Sequence, residues 1–226
     1  MRRRPSATAG SAAQLAAARQ AASLLLGYPD EELLGRLRLL RAAVASLSPA
    51  LAGPLGRFLD HLETTPLCDL QADYVETFDL RRRCSLYLTY YAYGDTRKRG
   101  MALLQFKHLY GRAGMQLVDG ELPDHLAVVL EFTAVGDAAR GERLLTEHRA
   151  GVELIRLALE ERGSPYARVL QAVSATLPPV RAEDRAAVLR LAQEGPPTEE
   201  VGLDPYGATP FAPPDYIPHP PAGAPA

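Results

Sequence analysis

Apolar residues recur every three to four positions through most of this chain, the spacing of one face of an α-helix. Proline and glycine cut the pattern into segments. The first, Ala/Leu-rich, runs from Ser11 to Leu26 and stops at Gly27-Tyr28-Pro29. Asp30 reads as a helix N-cap, with Glu31 and Glu32 in the first turn, where the helix dipole favours acids. Leu33, Leu34, Leu37, Leu40, Val44 and Leu47 follow as one stripe. Ser48-Pro49 starts the next helix, with Leu51, Leu55, Phe58, Leu59 and Leu62 on its apolar face. Thr65-Pro66 starts another, carrying Leu67, Leu70, Tyr74, Val75 and Phe78 and failing between Asp79 and Arg83.

The segment CSLYLTYYAY, residues 84–93, has the aromatic and Thr content of a strand. No second strand is evident to satisfy its backbone, so a short buried helix is the expected form. Gly94-Asp95-Thr96 ends it, and Asp95 is expected to cap a helix running to about Val118. Leu122-Pro123-Asp124 should start another, and one long helix should span Asp137 to Glu161. Further helices are expected from Ser164-Pro165 to Ala175 and from Ala182 to Gln193. The fold class is therefore all-α, a single-domain helical bundle.

Composition divides the chain of 226 residues in a second way. Ten of its 19 prolines lie in the last 32 residues. Prolines remove backbone donors and block helices, so residues 195–226 are expected to be a largely disordered tail. A second reading pins Tyr206, Phe211, Tyr216 and Ile217 on the body or on a partner. Residues 1–10 read as a flexible basic start and 11–194 as the helical domain.

Net charge is -2, so the global positive field that drives general nucleic-acid binding is missing. No apolar run reaches the roughly 20 residues of a membrane span. Arg2-Arg3 lacks the apolar core of a signal peptide, and a cytoplasmic protein is expected. Cys68 and Cys84 form no CxxC pair and read as reduced thiols. No phosphate loop, dinucleotide fingerprint, GxSxG elbow or HExxH pair is present, so the chain reads as a non-enzyme without metal or cofactor of its own.

Two clusters carry candidate chemistry. Residues 78–100, FDLRRRCSLYLTYYAYGDTRKRG, crowd arginines among four tyrosines. Both residue types are enriched where one protein grips another. The second is Glu121-Leu122-Pro123-Asp124-His125, where two acids and an imidazole could accept hydrogen bonds from a basic peptide. Plain structural readings stay open. The tyrosines at helical spacing fit a core, Asp124 fits a cap and His125 a surface imidazole.

SLYLTYYAYGDTRKRGMALLQFKHLYGRAGMQL, followed by ELPDHLAVVLEFTA, resembles the NarJ-type nitrate reductase assembly chaperones, or delta subunits, within the TorD/DmsD class of redox-enzyme maturation proteins. The likeness is dense from about Asp73 to Ala134 and weaker over Ala12 to Gln193, and it leaves out the tail. It implies an all-helical cytoplasmic chaperone, a monomer or weak homodimer. Such a protein binds the apo catalytic (alpha) subunit of respiratory nitrate reductase through its N-terminal segment and assists molybdenum cofactor insertion. The blocks map the partner-binding role onto Tyr87, Tyr90, Tyr91, Asp95, Arg97 and Arg99, and onto Glu121, Pro123, Asp124, His125 and Glu131. Gly94 is assigned to the turn. Asp95, Glu121, Asp124 and Glu131 would face a basic amphipathic peptide, while Arg81, Arg82 and Arg83 are placed outside the groove. The alternatives are a chaperone of a sulfoxide or N-oxide reductase, a nucleotide-dependent factor acting on the cofactor, and a helical scaffold unrelated to redox enzymes.

Overall fold

A computed structural model describes residues 11–197, apart from Asp119, Arg181 and the side chain of Asp184. The twelve α-helices described are α1 (Ala12–Leu25), α2 (Glu31–Gly35), α3 (Leu37–Ala45), α4 (Pro49–Thr64), α5 (Leu67–Tyr74), α6 (Leu88–Tyr93), α7 (Arg97–Arg112), α8 (Leu126–Glu131), α9 (Ala138–Glu147), α10 (Arg149–Glu161), α11 (Ala167–Ala175) and α12 (Ala182–Glu194). Among the described residues no helix is long and apolar enough to cross a membrane. Residues 198–226, the greater part of the proline-rich tail, lie outside the described residues, as do residues 1–10.

Local side-chain caps account for several helix starts. The Ser11 hydroxyl accepts the N–H of Gln14, and the Asp30 carboxylate accepts that of Leu33 at 2.7 Å. Asp137 does the same for Arg140 at 2.9 Å. Each satisfies a donor that the first turn of a helix leaves unpaired.

Five expectations change. α7 ends at Arg112, short of Val118, and α8 starts only at Leu126, with His125 rather than Asp124 in the cap position. The stripe from Leu33 to Leu47 is divided into α2 and α3 at Arg36, directly after Gly35. The long helix from Asp137 to Glu161 is divided into α9 and α10 at His148, whose ring lies 5.5 Å from that of Phe106 in α7. Asp95 does not cap α7. Thr96 holds the cap position, and the Asp95 carboxylate instead pairs with Arg99 one turn on, at 3.4 Å.

Two helices loosen at their ends into single π-turns. Leu80 N–H reaches Val75 O at 3.1 Å, and Asp137 N–H reaches Phe132 O at 3.0 Å, both i→i−5 bonds. In the second, the Thr133 hydroxyl donates back to Val129 O at 2.6 Å, competing with the backbone ladder. Gly141 of α9 crosses here. A Cβ at that position would lie 2.7 Å from Thr133 Cα, so only glycine permits this approach.

α1 is the central strut, packed on α8, α11 and α3, with α4 against α11 and α10 against α11 and α12. All five residues of the α4 stripe are buried. Each such leucine contributes roughly 2 kcal/mol through the apolar area removed from water. Tyr166 sits at the middle of an aromatic cluster, 4.8 Å from both Phe58 and Phe78 between ring centroids.

Two buried arginines tie helices together. Arg19 of α1 donates to Thr176 O at 2.9 Å and pairs with Glu142 at 3.1 Å. Arg149 of α10 pairs with buried Glu153 at 2.9 Å and donates to Pro178 O at 2.9 Å. The Glu153 carboxylate also accepts from Ser174 and Arg156. Burial alone would raise its pKa, but these partners outweigh burial and hold it below the ordinary value.

Candidate functional site: an aromatic and acidic cavity beside α1 and α8

The site depends on one backbone crossing. Leu88 N–H donates to Asp124 O at 3.0 Å, and Leu126 N–H donates to Leu86 O at 2.8 Å. Together they make an isolated antiparallel bridge between Tyr87 and His125. The segment before α6 is thus extended and does find a partner, which is why the helix begins only at Leu88. In this type of bridge the two facing residues exchange no hydrogen bonds with each other, and their side chains approach closely. The Tyr87 and His125 rings meet edge to face, 5.3 Å between centroids.

Tyr87 and His125 form one wall of a half-open cavity of about 400 Å³. Leu24, Gly27 and Tyr28 from the end of α1, Tyr74 of α5, and Ala127 and Val128 of α8 complete it. The Tyr28 ring stands edge-on to Tyr74 at 5.4 Å. The Tyr74 hydroxyl donates to Leu26 O at 3.1 Å, and the Ser23 hydroxyl to Ala127 O at 2.8 Å. The walls are therefore braced to each other. Among the described residues, Glu121 and Glu131, both exposed, are the only carboxylates lining the cavity, and no lysine or arginine lines it.

His125 is neutral in this setting. Burial lowers its pKa, against an opposing pull from the Asp124 charge. Its Nδ1 accepts the Ala127 N–H at 3.3 Å, so the proton resides on Nε2. Burial likewise raises the pKa of Tyr87, keeping the phenol protonated. The cavity offers apolar ring faces, hydrogen-bonding tips and two surface carboxylates.

Tyr87, Glu121, His125 and Glu131, of the residues singled out from sequence, come together in this cavity. The others lie elsewhere. Asp124 is fully buried beneath it. Its carboxylate accepts the Thr89 N–H at 3.1 Å and the Thr89 hydroxyl, and lies 3.9 Å from Arg99. The guanidinium of Arg99 sits 5.7 Å from the centre of the Tyr87 ring, contacting the cavity wall rather than the cavity. Asp95 is exposed at the start of α7 beside Arg99, and Arg97 is also exposed there. Pro123 is buried, its carbonyl accepting the Tyr110 hydroxyl at 2.6 Å. Tyr91 is a core residue, donating to Ser85 O at 2.8 Å and packed on Gly151. Tyr90 is half-buried against Tyr91. Arg81, Arg82 and Arg83 line a separate depression with Arg162.

Sequence reasoning missed Tyr28 and Tyr74. Tyr74 sits on a regular apolar stripe and carries no separate signal. Tyr28 does: it is a large aromatic side chain held between Gly27 and Pro29, and it is 51% exposed.

Comparison with known proteins gives the family. The family model described as "Nitrate reductase delta subunit" matches residues 44–172, more than half of the chain and both walls of the Tyr87–His125 bridge. The chain belongs to the nitrate reductase delta subunit family. Among curated relatives of this family, the nitrate reductase-like protein NarX of Mycobacterium tuberculosis H37Rv is 42% identical over 157 residues, which is 70% of this chain and 24% of NarX. This chain therefore spans about a quarter of that relative. A Bacillus subtilis relative named as a probable nitrate reductase molybdenum cofactor assembly chaperone, NarJ, is 31% identical over 70% of this chain and 86% of its own length. The Escherichia coli K12 nitrate reductase molybdenum cofactor assembly chaperone NarJ is 36% identical over 64% of this chain and 63% of its own.

Proposed function

We propose that this delta subunit family member is a cytoplasmic assembly chaperone of a respiratory nitrate reductase. Its cavity beside α1 and α8 receives the N-terminal segment of the apo catalytic subunit. Relatives from Bacillus subtilis and Escherichia coli carry the name of molybdenum cofactor assembly chaperones, which supports the reading at the level of the family.

The observation that carries it is the cavity's chemistry, three tyrosine rings and a neutral imidazole rimmed by Glu121 and Glu131. A basic amphipathic segment fits such a surface. Its apolar side chains enter between Tyr28, Tyr74 and Tyr87, and its cations meet the two carboxylates. Because the carboxylates are exposed, they add orientation and association rate more than affinity. Release then needs only a competing arrangement of the folded catalytic subunit once its cofactor is in place.

Titration of the labelled N-terminal peptide of the cognate catalytic subunit tests this. Micromolar binding is expected, weakened about two- to threefold in Glu121→Gln/Glu131→Gln and about tenfold by Tyr87→Ala, as for loss of an aromatic anchor of roughly 1–2 kcal/mol. No binding by the unaltered chain, or binding indifferent to all three substitutions, overturns the assignment.

A further inference from the structure

α7 presents an outer face that the described fold leaves uncovered. Its inner face, Ala102, Phe106 and Tyr110, is buried, and it packs mainly against α6. On the outer side Met101 is 64% exposed and Leu104 59%, flanked by exposed Lys98, Lys107 and Arg112. Residues 97–112 contain five lysines and arginines and no acid. A helix with an apolar stripe between cations fits an acidic, apolar strand of chain.

Such a strand starts at the same place. α12 ends at Glu194, and Pro197 then lies directly on Gly94, in the turn that leads into α7. A Cβ at Gly94 would overlap the Pro197 carbonyl and lie 2.8 Å from its carbon. Gly94 also has φ +57°, so it serves both the turn and this close approach. The next residues are Thr198-Glu199-Glu200-Val201-Gly202-Leu203-Asp204-Pro205-Tyr206, and residues 198–226 contain four acids and no lysine or arginine. α7 is about 24 Å long at 1.5 Å per residue. An extended chain covers that in seven or eight residues at about 3.3 Å each.

We propose that residues 198–206 lie along the outer face of α7 of the same chain, Glu199 and Glu200 near Lys98, Val201 and Leu203 over Met101 and Leu104, and Asp204 and Tyr206 toward Lys107 and Arg112. The occupant is set by continuity at Pro197 and by opposite charge on strap and helix. The proposal is independent of what the aromatic cavity binds.

The chain has no tryptophan, so Tyr206→Trp places a single reporter on the strap in the full chain. At low salt its quenching by acrylamide should be at least about threefold weaker than in a free peptide of residues 195–206 carrying the same substitution. The difference should vanish near 1 M salt, where the screening length falls to about 3 Å, and in Lys98→Glu/Lys107→Glu/Arg112→Glu, whose helix content circular dichroism checks. The salt series on the single variant decides the matter even if the charge-reversed chain does not fold. A reporter as accessible as in the free peptide overturns the proposal. So does protection that survives both salt and charge reversal, and protection that grows with protein concentration, which would place the strap on a second copy.

Discussion

Asp124 caps α6 from 35 positions away in sequence. Its carboxylate accepts the Thr89 N–H at 3.1 Å and the Thr89 hydroxyl, while the residue at the cap position itself, Tyr87, makes no side-chain capping bond. The acid that sequence reasoning offered to a peptide thus holds together the two segments that carry Tyr87 and His125.

Asp124→Ala should therefore act on stability before binding. It removes a charge-assisted acceptor from a buried N–H and leaves Arg99 without its inner partner, a loss of about 2–3 kcal/mol. Urea unfolding measures it. Asp124→Asn, which keeps one acceptor for Thr89, should lose less. An Asp124→Ala chain with an unchanged urea midpoint and lost peptide binding would return Asp124 to the role of a direct contact.

Stability should fall as pH drops below about 6.5. Burial lowers the pKa of His125, His148 and His61 from the ordinary value of 6.5. The unfolded chain therefore takes up protons first, which penalises the folded state progressively below 6.5 and not above it. Asp124 pulls the other way on both His125 and His148 without reversing the shift. The urea midpoint should decline between pH 7 and pH 5, and less so in His125→Asn, which keeps a side-chain acceptor for the start of α8. A midpoint flat across that range would contradict the burial of these rings.

Glu153→Gln should cost roughly 3 kcal/mol, because it leaves Arg149 charged and buried without its anion. The double variant Arg149→Met/Glu153→Leu removes both charges and should recover most of that loss in thermal unfolding. An additive double variant would show that the two side chains do not interact.

The helical reading survived in most places because its signals are short-range. Ser11 and Asp30 bond three residues ahead, and the α4 stripe repeats within single turns. Breaks at Arg36 and His148 carry no proline and lie within continuous apolar periodicity. Gly35 directly precedes the first break, and at the second His148 packs against Phe106. The candidate site was half legible. Tyr87, Glu121 and His125 stood out as unusual residue types in two clusters and Glu131 came only from the family resemblance, whereas the cluster criterion also drew in Tyr91, which is core, and passed over Tyr28.

The sequence by itself determined an all-helical body, most of its helix starts, its family and the charge contrast between α7 and the residues after Pro197. Each of these depends on composition or on contacts within a few residues along the chain. Tertiary structure decided which candidates meet. The bridge between Tyr87 and His125, the cap from Asp124 to Thr89 and the wall contributed by Tyr28 and Tyr74 join segments dozens of residues apart. No local period encodes such pairings, because they form only when α1, α5, α6 and α8 bury their apolar faces against a common core.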